Sequence, residues 1–327
     1  MKGKLNPITR GVTLRQLRVL AAVVRSGTQS AAADALGVTP PAVALQLRQL
    51  EDLLQVALVE RAAEGLRPTD AGREVLATAD RIEAALQDCG QAIEALRGMD
   101  GGRVAVGVIS TAKYFAPRAL AAYNRAHPKV EMRVLVGNRR ETLAALEGFD
   151  LDLALVGRPP ETFEVERAVV GENPHVVIAP PDHPLVGSIA LPLASLAGET
   201  FLLREAGSGT RDLLARLLAE AGLNPASGIE MGTNETIKQA VMAGMGVALL
   251  SAHTIAAEAG DGRLAVLDVA GLPIVREWSV VRRREKRFLP AAQALWDHLA
   301  TSGGSFLPDV AGFVRRPGAV VSRPGGC

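Results

Sequence analysis

Hydrophobic residues recur at helical spacing near the start of the chain and predict a first pair of short helices. The first carries Leu14 and Leu17 on one face and ends before Gly27, because glycine readily adopts the left-handed conformation that stops a helix. The second is predicted over residues 31–36, with Ser30 as its capping residue. A third pattern of the same kind follows at once.

The spacing between the second and third helices is typical of a helix-turn-helix. Two helices that cross steeply need a small residue at the crossing and a permissive residue in the turn, and Ala33 and Gly37 meet these needs. Thr39 can cap the third helix, Pro40 suits its first turn, and Val43 begins its buried stripe. The outward face, which would enter the major groove of DNA, consists of Pro41, Ala44, Leu45 and Arg48.

A long helix is predicted from Gly72 to Arg97, since no proline interrupts this stretch and apolar residues recur alternately four and three positions apart. This heptad spacing gives a narrow stripe that pairs well with another helix, so it predicts a homodimer or homotetramer. The alternative is an amphipathic helix that packs on the chain's own body. The predicted pairing residues are Val75, Ile82, Leu86, Cys89, Ile93 and Leu96.

The rest of the chain alternates strand-length apolar runs with helical patterns and predicts an α/β body. Runs at 104–109, 130–136 and 151–156 form a first set, and a second set follows it, so we expect two lobes with a cleft between them. Residues 303–327 are rich in glycine and proline and show no periodicity. The predicted boundaries are a head at 1–70, a linker helix at 71–98, a body at 103–302 (lobe one about 103–171 and 272–302, lobe two about 172–271) and a disordered tail at 303–327.

Charge is balanced over the whole chain but not along it. There are 36 Lys and Arg against 35 Asp and Glu, yet residues 1–62 hold eight basic and four acidic residues, which leaves them at +4 and the remainder at −3. A small basic module on a slightly acidic body is typical of a DNA-binding head. No apolar run approaches the ~18 residues of a membrane span. The absence of a signal sequence and the presence of only two cysteines predict a cytoplasmic protein without metal.

Polar residues cluster at three strand-to-helix turns of the body, which is where open α/β sheets bind ligands. Their hydroxyls, backbone N–H groups and cations predict a site for an anionic small molecule, phosphorylated or carboxylated. The candidates are Ser110, Thr111, Lys113, Arg204, Ser208, Thr210, Arg211, Asn234, Thr236 and Lys238.

Two alternatives for these residues stay open. The hydroxyls can be ordinary helix caps, and Arg204 and Arg211 can pair with Glu205 or Asp212. The motifs of a nucleophile elbow, a phosphate-binding loop and a zinc protease are all missing from the sequence, so no enzymatic activity is predicted.

The N-terminal motifs together resemble those of LysR-type transcriptional regulators. This resemblance implies a winged helix-turn-helix, a long linker helix and a two-lobed α/β effector-binding domain of the periplasmic-binding-protein type. It rests on Leu14-Arg15-Gln16-Leu17, Ala31-Ala32, Leu36-Gly37-Val38-Thr39, Pro41-Ala42-Val43, Leu50-Glu51, Val59-Glu60-Arg61 and Leu66-Arg67-Pro68-Thr69-Asp70-Ala71-Gly72.

Pro40 and Ala44 depart from the commonest pattern of that family, which has glutamine and serine there. Both changes remove polar groups, so the reading face keeps apolar groups and one cation, Arg48. We therefore expect DNA shape and bending to carry much of the specificity. Ser30 and Thr39, at helix N-termini, suit phosphate contacts.

Within this family the chain is most similar to the regulators of Calvin-cycle, or carbon-fixation, operons. That likeness implies activation at a promoter, RNA polymerase as a further partner, and an effector such as ribulose bisphosphate, another sugar phosphate or NADPH. The alternatives are a LysR-type regulator of sulfur or aromatic metabolism, and a small-molecule binding protein or enzyme without a DNA function. The motifs that carry the likeness lie at residues 39–43, 110–117, 204–211 and 232–238.

Overall fold

The computed structural model describes residues 11–96, 101–223 and 227–314. These residues form two units that divide within one long helix, at Gly90. The first unit is a helical head with a small hairpin, and the second is an α/β body. The predicted order of winged helix-turn-helix, linker helix and two-lobed α/β body is confirmed. In the described part of the chain, no helix has the length and apolar character needed to cross a membrane.

The head begins with a helix that has a capping interaction at each of its ends. The Thr13 hydroxyl accepts a hydrogen bond from the Gln16 N–H at 3.3 Å, and the Gln16 side chain accepts one from the Thr13 N–H at 2.9 Å. Gly27 ends the helix in the left-handed conformation, at φ 71°. The elements of the head are α1 (Leu14–Ser26), α2 (Gln29–Leu36), α3 (Pro40–Leu54), β1 (Val59–Ala62), β2 (Gly65–Pro68) and the start of α4 (Asp70–Leu96).

The prediction that Ser30 caps the second helix is wrong. Thr28 caps α2, because its hydroxyl accepts from the Ala31 N–H at 3.2 Å and its backbone is extended at φ −142° and ψ 151°. Gly27 makes this possible by turning the chain immediately before Thr28. Ser30 therefore lies inside the first turn, with an exposed side chain.

The third helix has Thr39 at its N-cap position, as predicted, but the Thr39 side chain makes no capping hydrogen bond. Proline has no N–H, and both Pro40 and Pro41 stand in the first turn. The first backbone donor of α3 is Ala42, whose N–H bonds to the Thr39 carbonyl at 3.0 Å. The Thr39 hydroxyl is thereby left out of the cap.

The hairpin of β1 and β2 forms the wing and is fixed to the turn between α1 and α2. The Leu66 N–H donates to the Gly27 carbonyl at 2.7 Å. Gly65 has φ 118°, and a Cβ there would lie 2.6 Å from the same Gly27 oxygen. Only glycine allows so close an approach, so Gly65 fixes where the wing begins.

The body contains a mixed sheet of seven strands, in the order β10-β6-β11-β5-β3-β4 with β9 also paired to β6, and a separate parallel pair of β7 and β8. Strands β3, β4 and β5 are parallel, and β11 is antiparallel to β5. The strands are β3 (Arg103–Ile109), β4 (Glu131–Gly137), β5 (Leu153–Val156), β6 (Val165–Ala179), β7 (Thr200–Arg204), β8 (Ser227–Met231), β9 (Ala248–Ser251), β10 (Ala265–Leu267) and β11 (Ile274–Arg283). The helices are α5 (Ala116–Ala126), α6 (Arg139–Glu147), α7 (Gly209–Glu220), α8 (Asn234–Met242), α9 (Ala256–Gly260) and α10 (Pro290–Ser302).

Two long strands, β6 and β11, run through both lobes. The second set of strands predicted from the sequence includes only residues 176–179 and 278–282 of these two strands, whereas the structure extends each of them toward its amino end. Their pairing is interrupted by a bulge between Trp278 and Ser279, and Trp278 pairs with Gly171. Ile274 packs on the core of lobe two and Trp278 on the core of lobe one. The chain therefore crosses between the lobes near Gly171 on β6 and between Ile274 and Trp278 on β11, a few residues beyond the expected boundary near 271.

The predicted disorder of residues 303–327 is wrong for residues 303–314. A 3₁₀ turn at Gly303–Phe306 follows α10, and Phe306 packs on the core of lobe one. Further along, Phe313 packs on the core of lobe two. Glycine and proline between these hydrophobic residues hid them from any periodicity. Residues 315–327 lie outside the described part of the chain.

Candidate DNA-binding face and effector cleft

The outward face of α3 is open to solvent in the described head. Pro41, Leu45 and Arg48 are exposed and Ala44 is half-buried, whereas Val43 on the opposite side is fully buried. Leu45 is 54% exposed, which is unusual for a large aliphatic side chain unless it meets a partner. The four predicted reading residues thus lie together on one accessible face.

Arg48 is the cation of this face and is free to reach a partner. Among the described residues its guanidinium makes no ion pair. Two other arginines of the head, by contrast, are paired: Arg18 with Glu83 at 2.5 Å, and Arg67 of the wing with Glu64 at 2.9 Å. An unpaired guanidinium can donate to a guanine edge or a phosphate without first breaking an ion pair.

Ser30 and Thr39 lie at the amino ends of α2 and α3 with exposed side chains. Since Thr28 caps α2 and Thr39 makes no cap bond, neither hydroxyl is used in a cap. Both positions suit phosphate contacts. Arg61 near the tip of the wing is also exposed, and the sequence argument did not single it out.

The linker helix α4 leaves an apolar stripe in solvent. Ile82, Leu86 and Ile93 are 38%, 48% and 45% exposed, and Cys89 is a free, exposed thiol. Val75 differs, because it packs against the core of the head. Leu96 is the last residue of the helix, and its side chain lies outside the described residues. Exposed aliphatic residues in one stripe are typical of a pairing surface.

Two of the predicted cations in the cleft are already neutralised. Arg204 is 2% exposed and donates to both carboxylate oxygens of Glu205, at 2.7 and 2.8 Å. It also donates to Ser110 Oγ at 2.9 Å and to Asn234 Oδ1. Arg211 pairs with Glu230 rather than with Asp212. The alternative of ion pairing therefore holds for Arg204 and, with another partner, for Arg211.

Lys238 is also buried and paired. Its ammonium group lies 2.8 Å from Glu258 and 2.9 Å from Glu235. Burial lowers the pKa of Lys238, but hydrogen bonds to Glu258 and Glu235 outweigh burial and raise it overall. The ammonium also lies 4.8 Å from the centre of the Tyr114 ring, and Lys113 lies 5.3 Å from the same ring. Lys238 is therefore held by two carboxylates of lobe two and lies against an aromatic ring of lobe one.

Further positive charge at the cleft comes from arginines that the sequence pattern did not single out. Arg139, Arg158 and Arg276 line one cavity with Thr111, Ser208 and Thr210. Arg139 Nε is buried without a hydrogen-bond partner, and Arg158 pairs with the exposed Glu161 at 2.6 Å. Arg276 donates to the Gly209 carbonyl at 3.3 Å.

Burial, together with the charges of neighbouring arginines, lowers the pKa values of Arg276 and Arg139. Burial, followed by the charges of Arg216, Arg158 and Arg139, lowers the pKa of Arg276 to about 10. Burial and then Arg158 lower the pKa of Arg139 as well. A pKa of about 10 keeps Arg276 protonated at neutral pH, so the cavity holds positive charge that a bound anion would offset.

The hydroxyls at this cavity are not used as caps. Ser208 stands at the N-cap of α7 and Thr111 at that of the 3₁₀ turn Ala112–Tyr114, and neither side chain makes a capping bond. Both are nevertheless buried, at 3% and 7% exposure. The capping alternative therefore does not account for them, and the amino end of α7 adds backbone donors next to Ser208.

The structure thus brings four of the ten predicted effector residues to the cavity, namely Ser110, Thr111, Ser208 and Thr210. Asn234 is buried against Arg204, and Thr236 is exposed, with its N–H bonded to Thr233. The sequence position of two of these three arginines could have marked them as candidates. Arg139 and Arg158 follow the carboxyl ends of β4 and β5, and open α/β sheets bind ligands at the carboxyl ends of their strands. Arg276 lies inside a strand, so no local signal marked it.

Comparison with known proteins agrees with this geometry. Residues 14–73 match the bacterial regulatory helix-turn-helix protein of the lysR family, and residues 97–303 match the LysR substrate binding domain. The HTH-type transcriptional regulator CbbR of Xanthobacter flavus is 50% identical over 302 residues, which cover 92% of this chain and 91% of that one. The RuBisCO operon transcriptional regulator of Allochromatium vinosum is 44% identical over 283 residues, covering 86% and 94%.

A solved structure also resembles the body. The regulatory domain of CcmR from Synechocystis PCC6803, in complex with 2-PG, is 36% identical with a TM-score of 0.59 and covers 61% of this chain and 95% of its own. Since the relatives are named as regulators, the prediction of a DNA-binding regulator rather than an enzyme is confirmed. The chain belongs to the LysR family of transcriptional regulators.

Proposed function

We propose that this regulator controls a promoter of carbon-fixation, or Calvin-cycle, genes and that a small phosphorylated metabolite is its effector. The observation that carries the effector class is the set of Arg139, Arg158 and Arg276 around one cavity. The promoter class is supported by relatives at 50% and 44% identity that are named for CbbR and for the RuBisCO operon. We expect the protein to act in the cytoplasm as an activator that works with RNA polymerase.

The effector we propose carries at least one phosphoryl group. A phosphate has two negative charges at neutral pH and several acceptor oxygens, which match paired arginines and hydroxyls better than one carboxylate does. Ribulose bisphosphate, another sugar phosphate and NADPH all meet this condition. The CcmR structure in complex with 2-PG supports the same class.

Binding of such a molecule requires the cleft to change shape. The cavity holds about 30 Å³, which is room for about two water molecules. Hydrogen bonds join the lobes across the cleft, from Arg204 to Ser110 at 2.9 Å and from the Arg140 N–H to the Gly207 carbonyl at 3.2 Å. We therefore propose that the effector selects an arrangement of the lobes different from this one.

The head would bind DNA through α3 in the major groove. Pro41, Ala44 and Leu45 would contact thymine methyl groups, and Arg48 a guanine edge or phosphate. The variant Arg48→Ala should weaken promoter binding by about 1–3 kcal/mol, roughly 5- to 150-fold. Fluorescence anisotropy on the upstream intergenic DNA of its own gene, at one stated salt concentration, measures this.

The control for that experiment is Arg81→Ala, which removes the same charge from the exposed surface of α4. Equal affinity of the Arg48→Ala variant and the native protein would reject the assigned face. Repeating the titration with ribulose bisphosphate, other sugar phosphates and NADPH tests the effector class. Promoter affinity or DNA bending that responds to none of them would reject the proposed pathway and keep the regulator.

We propose that the apolar stripe of α4 pairs two subunits, so that the protein is a homodimer or homotetramer. A dimer fits a head that reads two half-sites of a duplex. Leu86→Asp places a charge on the stripe, and sedimentation velocity should then show a smaller species. Ala85→Asp, one residue off the stripe and also exposed, is the matched control. A native sedimentation coefficient for Leu86→Asp would reject the pairing surface.

A further inference from the structure

The segment after the last helix contacts both lobes. Its first part, the 3₁₀ turn Gly303–Phe306 and Leu307, lies on lobe one. Phe306 and Leu307 pack on the lobe-one core, and the Phe306 ring lies 5.9 Å from the ring of His298 in α10. The Leu307 N–H bonds to the Gly304 carbonyl at 3.2 Å, which fixes the turn.

The same part of the segment is seated where the chain crosses between the lobes. A Cβ on Gly171 of β6 would lie 2.6 Å from Leu307 Cδ1, and one on Gly304 would lie 2.7 Å from the Val170 carbonyl oxygen. Gly171 pairs with Trp278 at the bulge of β11. Leu307 is therefore packed directly against the strand position at which lobe one gives way to lobe two.

The second part of the segment lies on lobe two. Val310, Phe313 and Val314 pack on a lobe-two core that contains Val176 of β6. A short turn orders them, because the N–H groups of Phe313 and Val314 both bond to the Val310 carbonyl, at 3.2 and 2.9 Å. Phe313 and Val314 also line a cavity of about 130 Å³ with Val176.

We propose that residues 303–314 form an interlobe brace, a third chain connection between the lobes besides β6 and β11. Any rotation of lobe two about the crossing must either carry these twelve residues along or detach one apolar end from its core. The apolar contacts of these partly buried side chains at both ends therefore favour the present lobe arrangement over others. This inference concerns the lobe equilibrium itself and does not depend on the identity of the effector.

Trp278 can report the lobe arrangement without any ligand. It is fully buried, its ring lies 5.1 Å from Phe115 of lobe one, and its Nε1 donates to His253 Nδ1 of lobe two at 3.0 Å. The chain has only two tryptophans, so Trp296→Phe leaves Trp278 as the single emitter. Separation of the lobes would expose its ring to water and to a dissolved quencher.

The experiment compares two truncations in the Trp296→Phe protein. A chain that ends after Pro308 loses the lobe-two part of the brace, whereas a chain that ends after Val314 keeps the whole brace and is the matched control. Acrylamide quenching of Trp278 is measured at a temperature where far-ultraviolet circular dichroism shows native helix content. We expect a quenching constant at least about two-fold higher for the Pro308 truncation and an unchanged one for the control.

The other outcomes overturn the brace. If the Pro308 truncation melts at a lower temperature but quenches like the control, residues 309–314 only cover the core of lobe two. If neither quantity changes, the segment has no role in the lobe equilibrium. Should the truncated chain fail to fold, Phe313→Ala in the otherwise full chain takes its place, and a quenching constant equal to that of the Trp296→Phe protein rejects the proposal.

Discussion

Replacement of Arg276 by glutamine should stabilise the body and weaken anion binding at the same time. Arg276 sits half-buried among other arginines, and its guanidinium donates a hydrogen bond to the Gly209 carbonyl at 3.3 Å. Glutamine removes the charge and shortens the side chain. A residue with a purely structural role would lose stability on such a change, so the opposite signs distinguish a site for anions from a packing role.

The magnitudes follow from the surroundings of Arg276. Its pKa falls from 12.5 to about 10, and at about 1.36 kcal/mol for each pKa unit the charged form is disfavoured by about 3 kcal/mol. Loss of the hydrogen bond to the Gly209 carbonyl lowers the stability by about 1 kcal/mol. A net gain of about 2 kcal/mol raises the melting temperature of a domain of this size by about 4–8 °C.

For the anion, loss of one charge-assisted hydrogen bond should weaken binding by about 1.5–3 kcal/mol, or about 10- to 150-fold in the dissociation constant. Differential scanning calorimetry measures the first effect, and isothermal titration with ribulose bisphosphate or inorganic phosphate the second. Arg133→Gln removes an exposed arginine from β4 as the control. A lower melting temperature combined with native anion affinity in Arg276→Gln would refute the reasoning.

Two further predictions concern stability. Burial lowers the pKa of His175 to about 3 and of His253 to about 4, against 6.5 when unfolded. Above pH 6.5 both histidines are neutral in the folded and the unfolded protein, and the stability is at its full value. As the pH falls from 6.5 toward the folded pKa values of about 4 and 3, only the unfolded state takes up protons, so the folded state loses stability. Each histidine should account for about 2 kcal/mol of lost stability at pH 5, and urea unfolding of the body at pH 7 and 5 checks this; equal midpoints would contradict it. Gly65→Ala forces a Cβ to within 2.6 Å of the Gly27 oxygen at φ 118°, so the head should lose about 2 kcal/mol or more. Gly90→Ala, which meets nothing within 4 Å inside α4, should instead gain about 0.5–1 kcal/mol, and thermal unfolding of both variants makes the comparison.

Local patterns were enough to predict the head. The helix-turn-helix needs only residues that are neighbours in sequence, such as Ala33 at the crossing, Gly37 in the turn and Val43 in the core, and all three are where the pattern placed them. The error at Ser30 was also local, since two hydroxyl residues compete for one cap. The preceding glycine turn decided in favour of Thr28.

The charge of the cleft depends on contacts between side chains that a sequence pattern does not contain. Strand-end rules pointed to the edge of the sheet at which the arginine-lined cavity lies, and Thr111 and Ser208 line that cavity. The pattern did not show which cations carry unneutralised charge, because that depends on partners. The charge of Arg204, for example, is neutralised by the carboxylate of the next residue, Glu205.

By itself, the sequence determined the elements that arise from short-range periodicity and turn chemistry: the three head helices, the heptad stripe of α4 and the alternation of strands and helices in the body. Only the tertiary structure decided which distant residues meet. Arg139, Arg158 and Arg276 come from a helix start, a loop and a strand interior, and Phe306 and Phe313 reach different lobes from one segment. The reason is physical: charge repulsion and apolar burial depend on distances in space, and the chain sets those distances only when its strands have paired.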